Sequence, residues 1–163
     1  MELIAGWLEN KIITSAQTVD LERIVYDRQA FIAVQGDDSG AAEELVKDLH
    51  GRGKLADERY TEFIVYLYGK QAEEAGRQQD WLAAAGLMDE AINLVGDHPQ
   101  LTRAWKGYRD NYAIQVHNEF ANIFNSGKYS EAYDLVEAAL ELVPESRLLQ
   151  QDLETAGKAL GDG

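Results

Sequence analysis

Residues 81–95 read WLAAAGLMDEAINLV, and residues 129–143 read YSEAYDLVEAALELV. The second segment repeats the first: each begins with an aromatic residue, and Ala84 coincides with Ala132 when the two are aligned. Leucine, valine and a further alanine coincide at later positions, and a fainter copy begins near Ala42. Such recurrence is the signature of a helical repeat. The chain is therefore predicted to be all-α, with about three helix pairs.

Helical spacing of apolar residues continues outside the repeat. Only two prolines occur, whereas alanine, leucine and glutamate, which are good helix formers, are abundant. Glycine, proline and capping residues separate the predicted helices. These helices cover residues 18–35, 41–50, 57–76, 81–95, 102–125, 129–143 and 146–160. Their predicted N-caps include Thr18, Asp57, Asp80 and Ser146.

The first of these helices has an amphipathic pattern, which predicts that its apolar side faces the core. The residues on this side repeat with the i, i+3, i+4, i+7 spacing of a helix. They are Leu21, Ile24, Val25, Arg28, Phe31 and Ile32. Residues 1–16 are predicted to be a separate N-terminal segment, in which a helix over 2–13 and a strand over 11–14 are both compatible with the residues. Residues 17–163 are predicted to form one domain.

The segment from Gly127 to Pro144 has a distinctive order of residues. Its defining positions are Gly127, Tyr129, Glu131, Ala132, Val136, Ala139, Leu140, Leu142 and Pro144. This pattern resembles the turn and second helix of the tetratricopeptide repeat (TPR) family. The resemblance implies a TPR-like right-handed superhelix of about three antiparallel helix pairs with a C-terminal closing helix. It also implies a concave surface that holds an extended segment of a partner protein.

The composition disfavours several classes of function. The chain has 29 acidic and 15 basic residues, and its net charge of −14 repels nucleic acids and anionic membrane surfaces. No cysteine is present, which excludes disulfides and thiolate metal sites. No run of roughly 18 apolar residues, the length of a membrane span, occurs. We expect a cytoplasmic protein, or a fragment of a larger one, with neither a nucleic-acid partner nor membrane insertion.

No set of residues predicts catalysis. His50, His98 and His117 lie in different segments and match no metal-binding spacing, so we expect them to be ordinary surface or helix-end residues. Adjacent carboxylates such as Glu43 and Glu44 are typical of a solvated helix face. We therefore expect that the chain is not an enzyme and needs no cofactor.

Five amide side chains follow one side of the helix predicted over residues 102–125. They are Asn111, Gln115, Asn118, Asn122 and Asn125. Asparagine is a poor helix former, so this stripe runs against helix propensity. Amides both donate and accept hydrogen bonds, and the stripe could therefore hold the backbone of an extended peptide. The alternative is a solvated polar surface without a ligand.

The same helix carries the only concentrated positive charge, at Arg103, Lys106 and Arg109. These cations could receive a carboxylate of a partner. The alternatives are that they are solvated or that they pair with acidic residues of the neighbouring helix. The acidic residues considered are Asp89, Glu90 and Asp97.

Tyr66 and Tyr68 lie on a helix whose apolar side is already complete. At least one of them is expected to be exposed or to lie at an interface, with core packing against the adjacent helix pair as the alternative. The sequence thus predicts a protein–protein interaction module in which amides hold a peptide and Arg103 and Tyr66 add selectivity. The competing hypothesis is a homodimer formed through the same helices.

Overall fold

The structure is a computed structural model that describes residue 4 and residues 14–161. The described residues form seven successive α-helices from Ser15 onward and include no β-strand, which confirms the predicted all-α class. The helices are α1 Ser15–Val34, α2 Ser39–Gly51, α3 Asp57–Arg77, α4 Trp81–Val95, α5 Pro99–Asn125, α6 Tyr129–Leu142 and α7 Arg147–Gly161. The predicted N-terminal helix (2–13) and strand (11–14) lie outside the described residues, except for Ile4 and Thr14.

The N-cap of α1 is Thr14, and the predicted cap Thr18 was wrong by one turn. The Thr14 hydroxyl accepts a hydrogen bond from the Gln17 backbone N–H at 3.2 Å, and the Gln17 side chain accepts one from the Thr14 N–H at 2.8 Å. This reciprocal capping box satisfies two backbone donors at once. Thr18 lies inside the helix, where its hydroxyl donates to the Thr14 carbonyl at 3.0 Å.

Two other predicted caps are confirmed and one is wrong. Asp80 accepts a hydrogen bond from the Ala83 N–H at 3.1 Å, and Ser146 accepts one from the Leu149 N–H at 3.4 Å. Asp57 is instead the first residue of α3, where its negative charge suits the positive end of the helix dipole.

Helix α5 begins at Pro99, three residues before the predicted start at Thr102. Proline is well suited to the first helical position, because the N–H that it lacks has no helical partner there. The prediction treated this proline only as the end of the preceding helix. The turn before it contains Gly96 with a φ of 82°, a left-handed conformation that favours glycine.

The chain groups into two compact units. The first comprises Met1–Gln71 and Glu90–Leu101, and the second comprises Ala72–Asp89 and Thr102–Gly163. In the first unit, α1 packs against α2. The buried residues of these two helices are Ala30, Val34, Ala42, Val46 and Leu49. The predicted domain boundary after residue 16 stays a prediction.

The apolar side predicted for α1 does not face the core. The exposed residues on that side are Ile24, Val25, Phe31 and Ile32. The buried positions of the helix are instead Ala30 and Val34. The predicted inward orientation of α1 was therefore wrong, and a largely apolar side of this helix faces outward.

Two ion pairs explain this orientation of α1. Lys54 Nζ lies 2.9 Å from Glu22 Oε2, and Arg59 Nε lies 2.6 Å from Asp27 Oδ1. Helical geometry places Glu22 and Asp27 on the two flanks of the side that contains Ala30. The side of α1 that faces the rest of the unit is thus held by charges at its edges and by small residues at its centre.

In the second unit, α5, α6 and α7 share one hydrophobic cluster. Its buried residues are Ala113, Val116, Phe120, Ala132, Val136, Ala139, Val143, Leu149 and Ala156. Helix α6 packs closely against α7. Its contribution to the cluster includes Ala132 and Ala139, whose small side chains allow close approach of neighbouring helices.

The three copies of the repeat bury the same positions. The buried positions, at i, i+4 and i+7 of each copy, are Ala42, Val46 and Leu49 in α2; Ala84, Met88 and Ala91 in α4; and Ala132, Val136 and Ala139 in α6. Helix α4 begins at Trp81 and α6 at Tyr129, the two aromatic residues that begin the aligned segments. The repeat identified in the sequence therefore corresponds to a repeated pattern of burial.

Candidate functional site

The amide stripe of α5 is exposed at all five positions. Three of the five amides line one recess of about 360 Å³, which we call the amide groove. Its lining residues are Gln79, Trp81, Asn111, Ile114, Gln115 and Asn118. The groove combines four amide side chains with two large apolar ones. It can therefore offer hydrogen bonds to a peptide backbone beside a surface for an apolar side chain.

Aromatic stacking positions the apolar part of the groove. The rings of Trp81 and Tyr108 stack with their centroids 6.5 Å apart. A side chain at Gly76 would place its Cβ 3.2 Å from the Tyr108 ring and 3.4 Å from the Trp81 ring, so glycine leaves room for both. Burial raises the pKa of the Tyr108 hydroxyl, and the negative charge of Glu73 adds to the effect. Tyr108 is thus a neutral support for the Trp81 ring.

The remaining predicted binding residues lie outside the amide groove. Asn122 and Asn125 continue the stripe along α5 beyond the recess, and Arg103 is exposed nearer the beginning of the same helix. Tyr66 belongs to the first unit. Of the seven residues predicted to bind a peptide, the structure thus brings together Asn111, Gln115 and Asn118. Gln79 and Trp81 were missed, because helical spacing along α5 does not show which side chains outside this helix border it. Ile114 was also missed, although its spacing from Asn111 and Asn118 places it beside the stripe.

Tyr66 is exposed and Tyr68 is buried, which confirms that at least one of the two is accessible. The Tyr68 hydroxyl donates a hydrogen bond to Glu43 Oε1 at 2.7 Å. Tyr66 borders a second recess, of about 280 Å³, together with His98. The buried Nδ1 atom of His98 has no hydrogen-bond partner among the described residues.

Arg109 does not form the ion pair predicted for it. Its guanidinium donates to both carboxylate oxygens of Glu145, at 2.5 and 2.9 Å, and to the Leu142 carbonyl at 2.7 Å. It also lies over the Trp105 ring, 4.6 Å from the centroid. Of the alternatives considered for Arg109, an ion pair within the chain is the one observed, but its partner is Glu145 rather than Asp89, Glu90 or Asp97. Glu145 follows α6, and its proximity depends on how α5 and α6 pack, which local spacing does not show.

The Arg109–Glu145 ion pair should make the stability of the fold depend on pH in the acid range. The hydrogen bonds from Arg109 lower the pKa of Glu145 below its ordinary value of 4.5. A lowered carboxyl pKa stabilises the fold above the ordinary pKa, and this contribution is lost as the pH falls through the folded-state value. We expect Glu145→Gln to lower stability at neutral pH, with the difference from wild type vanishing in acid. Urea unfolding across a pH series measures this.

The control for this prediction is Glu141→Gln, which removes one negative charge from an exposed position of α6. A loss of stability at Glu145→Gln that stays constant down to strongly acidic pH would contradict an ionic contribution. It would instead indicate that the side chain matters through its packing.

His117 and Asp152 form a pair that the sequence analysis missed. His117 Nδ1 lies 2.8 Å from Asp152 Oδ2, and Asp152 is only 6% exposed. The one available signal was the position of Asp152 on the apolar side of α7, between Leu149 and Ala156. The His117 ring also stacks on Phe120 with centroids 6.5 Å apart. The pair therefore anchors α7 to α5, and no recess described above contains it.

Residue 4 and residues 14–161 contain no group of three or more histidine, aspartate or glutamate side chains placed to hold a metal ion. Over the same residues, no helix combines the length and the apolar character that a membrane span requires. Comparisons with known protein families, with curated proteins and with solved structures give no match for this chain. The relation to the TPR family therefore stays a prediction based on the residues of the repeat.

Proposed function

We propose that the chain is a non-catalytic protein-binding module that holds an extended peptide segment of a partner in the amide groove. The observation that carries this proposal is the position of Asn111, Gln115 and Asn118 beside Trp81 and Ile114 in one exposed recess. An extended peptide has unpaired N–H and C=O groups, and an amide side chain can pair with either. The apolar residues would contact the side chains that alternate along such a peptide.

The proposal includes a TPR-like right-handed superhelix, in which three antiparallel helix pairs are closed by α7. Helix lengths support this arrangement, because α1, α3 and α5 have 20, 21 and 27 residues whereas α2, α4 and α6 have 13, 15 and 14. The identical burial pattern of α2, α4 and α6 also supports it, since each repeat would bury its apolar face against a neighbour. In such a superhelix the amide groove would belong to the concave surface.

Peptides selected from a random peptide library on the immobilised chain provide the ligand for a test. We expect Asn111→Ala combined with Asn118→Ala to weaken binding of the selected peptides about tenfold, since two hydrogen bonds of about 0.5–1.5 kcal/mol each are lost. Thermal stability should not fall, because both side chains are exposed and alanine favours the helix. Fluorescence anisotropy measures the affinity, and circular dichroism measures the stability.

The matched control replaces two exposed amides elsewhere, Asn93→Ala with Gln151→Ala, and should leave the affinity unchanged. The double substitution Asn122→Ala with Asn125→Ala then shows how far along α5 the peptide extends. Equal binding to the groove variant and to the control would refute the amide groove as the binding site. A loss of stability in the groove variant would show that the stripe is structural.

The alternative function is self-association, which the exposed Tyr66 beside Val65 supports. Light scattering coupled to size-exclusion chromatography separates the two hypotheses. A monomer agrees with peptide binding as the main function. A tight dimer that dissociates on Tyr66→Ser would favour self-association through α3.

A further inference from the structure

The outward side of α1 is largely apolar. The exposed fractions are 64% for Ile24, 41% for Val25, 39% for Phe31 and 60% for Ile32. Helical spacing places these four residues on one side of α1, with Arg28 at its centre. We call these five residues the outer face of α1. Single exposed apolar side chains are ordinary on protein surfaces, but a contiguous set marks an interaction surface.

A recess adjoins this face on the side of α3. It measures about 430 Å³ and has apolar side chains in its lining, including the buried Leu55. The full set of lining residues is Arg23, Ile24, Asp27, Arg28, Leu55, Ala56 and Arg59. Ile24 and Arg28 belong to both the outer face and the recess. The two features therefore form one surface that combines apolar side chains with arginines.

Two of the acidic side chains next to this surface, Glu22 and Asp27, already have partners. Both oxygens of Asp27 accept hydrogen bonds from Arg59, at 2.6 and 3.3 Å, and Glu22 accepts one from Lys54 at 2.9 Å. Arg28 lies over the Phe31 ring, 5.4 Å from its centroid. Neither Arg28 nor Arg23 pairs with a carboxylate among the described residues. The surface thus has two arginines without an ion-pair partner in the part of the chain that the structure describes, whereas the whole chain has a net charge of −14.

Charge also distinguishes between three candidate occupants of this surface, which are a second copy of the chain, an anionic membrane and an acidic segment of another protein. A second copy would bring together two chains of net charge −14, and a two-fold contact centred on the outer face would place Arg28 against its own counterpart. An anionic membrane would face a large part of the acidic chain and would be attracted by only two arginines, whereas a short helix contacts only the surface around them. An acidic segment with apolar side chains complements both the arginines and the isoleucines.

We propose that the outer face of α1 and the adjoining recess dock an acidic amphipathic helix of another protein. The apolar side of that helix covers Ile24, Val25, Phe31 and Ile32, and its carboxylates pair with Arg23 and Arg28. In this mode of recognition the apolar side of an amphipathic helix docks on an apolar surface. It differs from the binding of an extended peptide, which is proposed for the amide groove. The surface lies in the first unit, and the amide groove lies in the second.

The test uses two synthetic amphipathic helical peptides that have leucines on one side and either glutamates or lysines on the flanks. We expect the glutamate peptide to bind the full chain in a fluorescence anisotropy titration and the lysine peptide not to bind. Arg23→Glu with Arg28→Glu should weaken binding of the glutamate peptide at least about tenfold, as for loss of a close charge pair. The same variant should bind the lysine peptide.

Two further variants complete the test. Ile24→Ser with Ile32→Ser should also remove binding of the glutamate peptide, while circular dichroism stays unchanged because both side chains are exposed. Arg52→Glu with Arg147→Glu, at exposed positions that belong neither to the outer face nor to the recess, controls for the change in net charge. The amide-groove variant, Asn111→Ala with Asn118→Ala, should bind the glutamate peptide normally. This result separates failure of the present inference from failure of the proposed function.

Three results would overturn the inference. The first is equal binding, or no binding, of the two peptides to the wild-type chain. The second is a wild-type dimer in light scattering that Ile24→Ser with Ile32→Ser converts to a monomer, because a second copy would then occupy the face. The third is binding to vesicles of phosphatidylserine and phosphatidylcholine that the arginine variant abolishes, because the surface would then recognise a membrane.

Discussion

Leu149→Ala is expected to lower the free energy of unfolding by about 2–5 kcal/mol, the range observed when a fully buried leucine is truncated. Leu149 has no exposed surface and lies in the cluster that joins α5, α6 and α7. Truncation removes apolar contacts and leaves a cavity, and both effects lower stability. Because the neighbouring side chains lie on three helices, the cavity cannot close without moving at least one of them.

Urea unfolding followed by circular dichroism measures the effect of this substitution. Leu160→Ala on the same helix is the control, because Leu160 is about half exposed and surface substitutions change stability by about 0.5 kcal/mol or less. Helical spacing places both leucines on the same side of α7. Similar losses for the two variants would show that the end of α7 is as well packed as its beginning.

The helices could be predicted from the sequence because the signals that define them are local. Apolar spacing, glycines such as Gly127 and capping residues such as Asp80 all lie within a few positions of the boundary that they determine. The errors at Thr18 and Thr102 have the same local character. A second threonine four residues earlier had a better-placed partner in Gln17, and Pro99 could begin a helix as well as end one.

The orientation of α1 could not be predicted, because periodicity identifies an apolar side without showing what covers it. The side that packs inward has Ala30 at its centre and ion pairs with Lys54 and Arg59 at its edges. Lys54 and Arg59 are each 32 positions from their partners Glu22 and Asp27, so these contacts depend on the packing of the unit. The unexpected exposure of Ile24 and Ile32 is the basis of the inference about the outer face of α1.

The candidate site was predictable in part for the same reason. The stripe along α5 follows from spacing alone, and its exposure is confirmed at every position. The groove also needs Trp81 from α4 and its support by Tyr108, which only the packing of the helices brings near the stripe. Packing also decides the partner of Arg109. The sequence indicated a free cation or one paired with the neighbouring helix, and the structure pairs it with Glu145.

Both proposals concern how a strongly acidic chain would recognise other proteins. The amide groove uses neutral donors and acceptors, so its hydrogen bonds should depend little on salt. The outer face of α1 uses Arg23 and Arg28, and exposed ion pairs weaken as salt is added because their charges are screened. Salt dependence is therefore a simple way to assign a newly found partner to one surface or the other.

Ala132→Leu is expected to lower the free energy of unfolding by about 1–3 kcal/mol, because a larger side chain in a close-packed core forces its neighbours into strained positions. Ala132 has no exposed surface and contributes to the cluster between α5, α6 and α7. Leucine and alanine are both good helix formers, so the loss would come from packing rather than from helix propensity. Chemical unfolding measures the difference from wild type.

Two companion substitutions make this experiment a test of the repeat. Ala138→Leu adds the same atoms at an exposed position of α6 and should change stability little. Ala84→Leu adds them at the equivalent buried position of α4 and should destabilise as Ala132→Leu does. If both buried positions accept leucine without loss, small residues are not what lets the helices approach. If only Ala132 is sensitive, the two copies pack differently despite their similar sequences, and the TPR-like superhelix loses its main physical support.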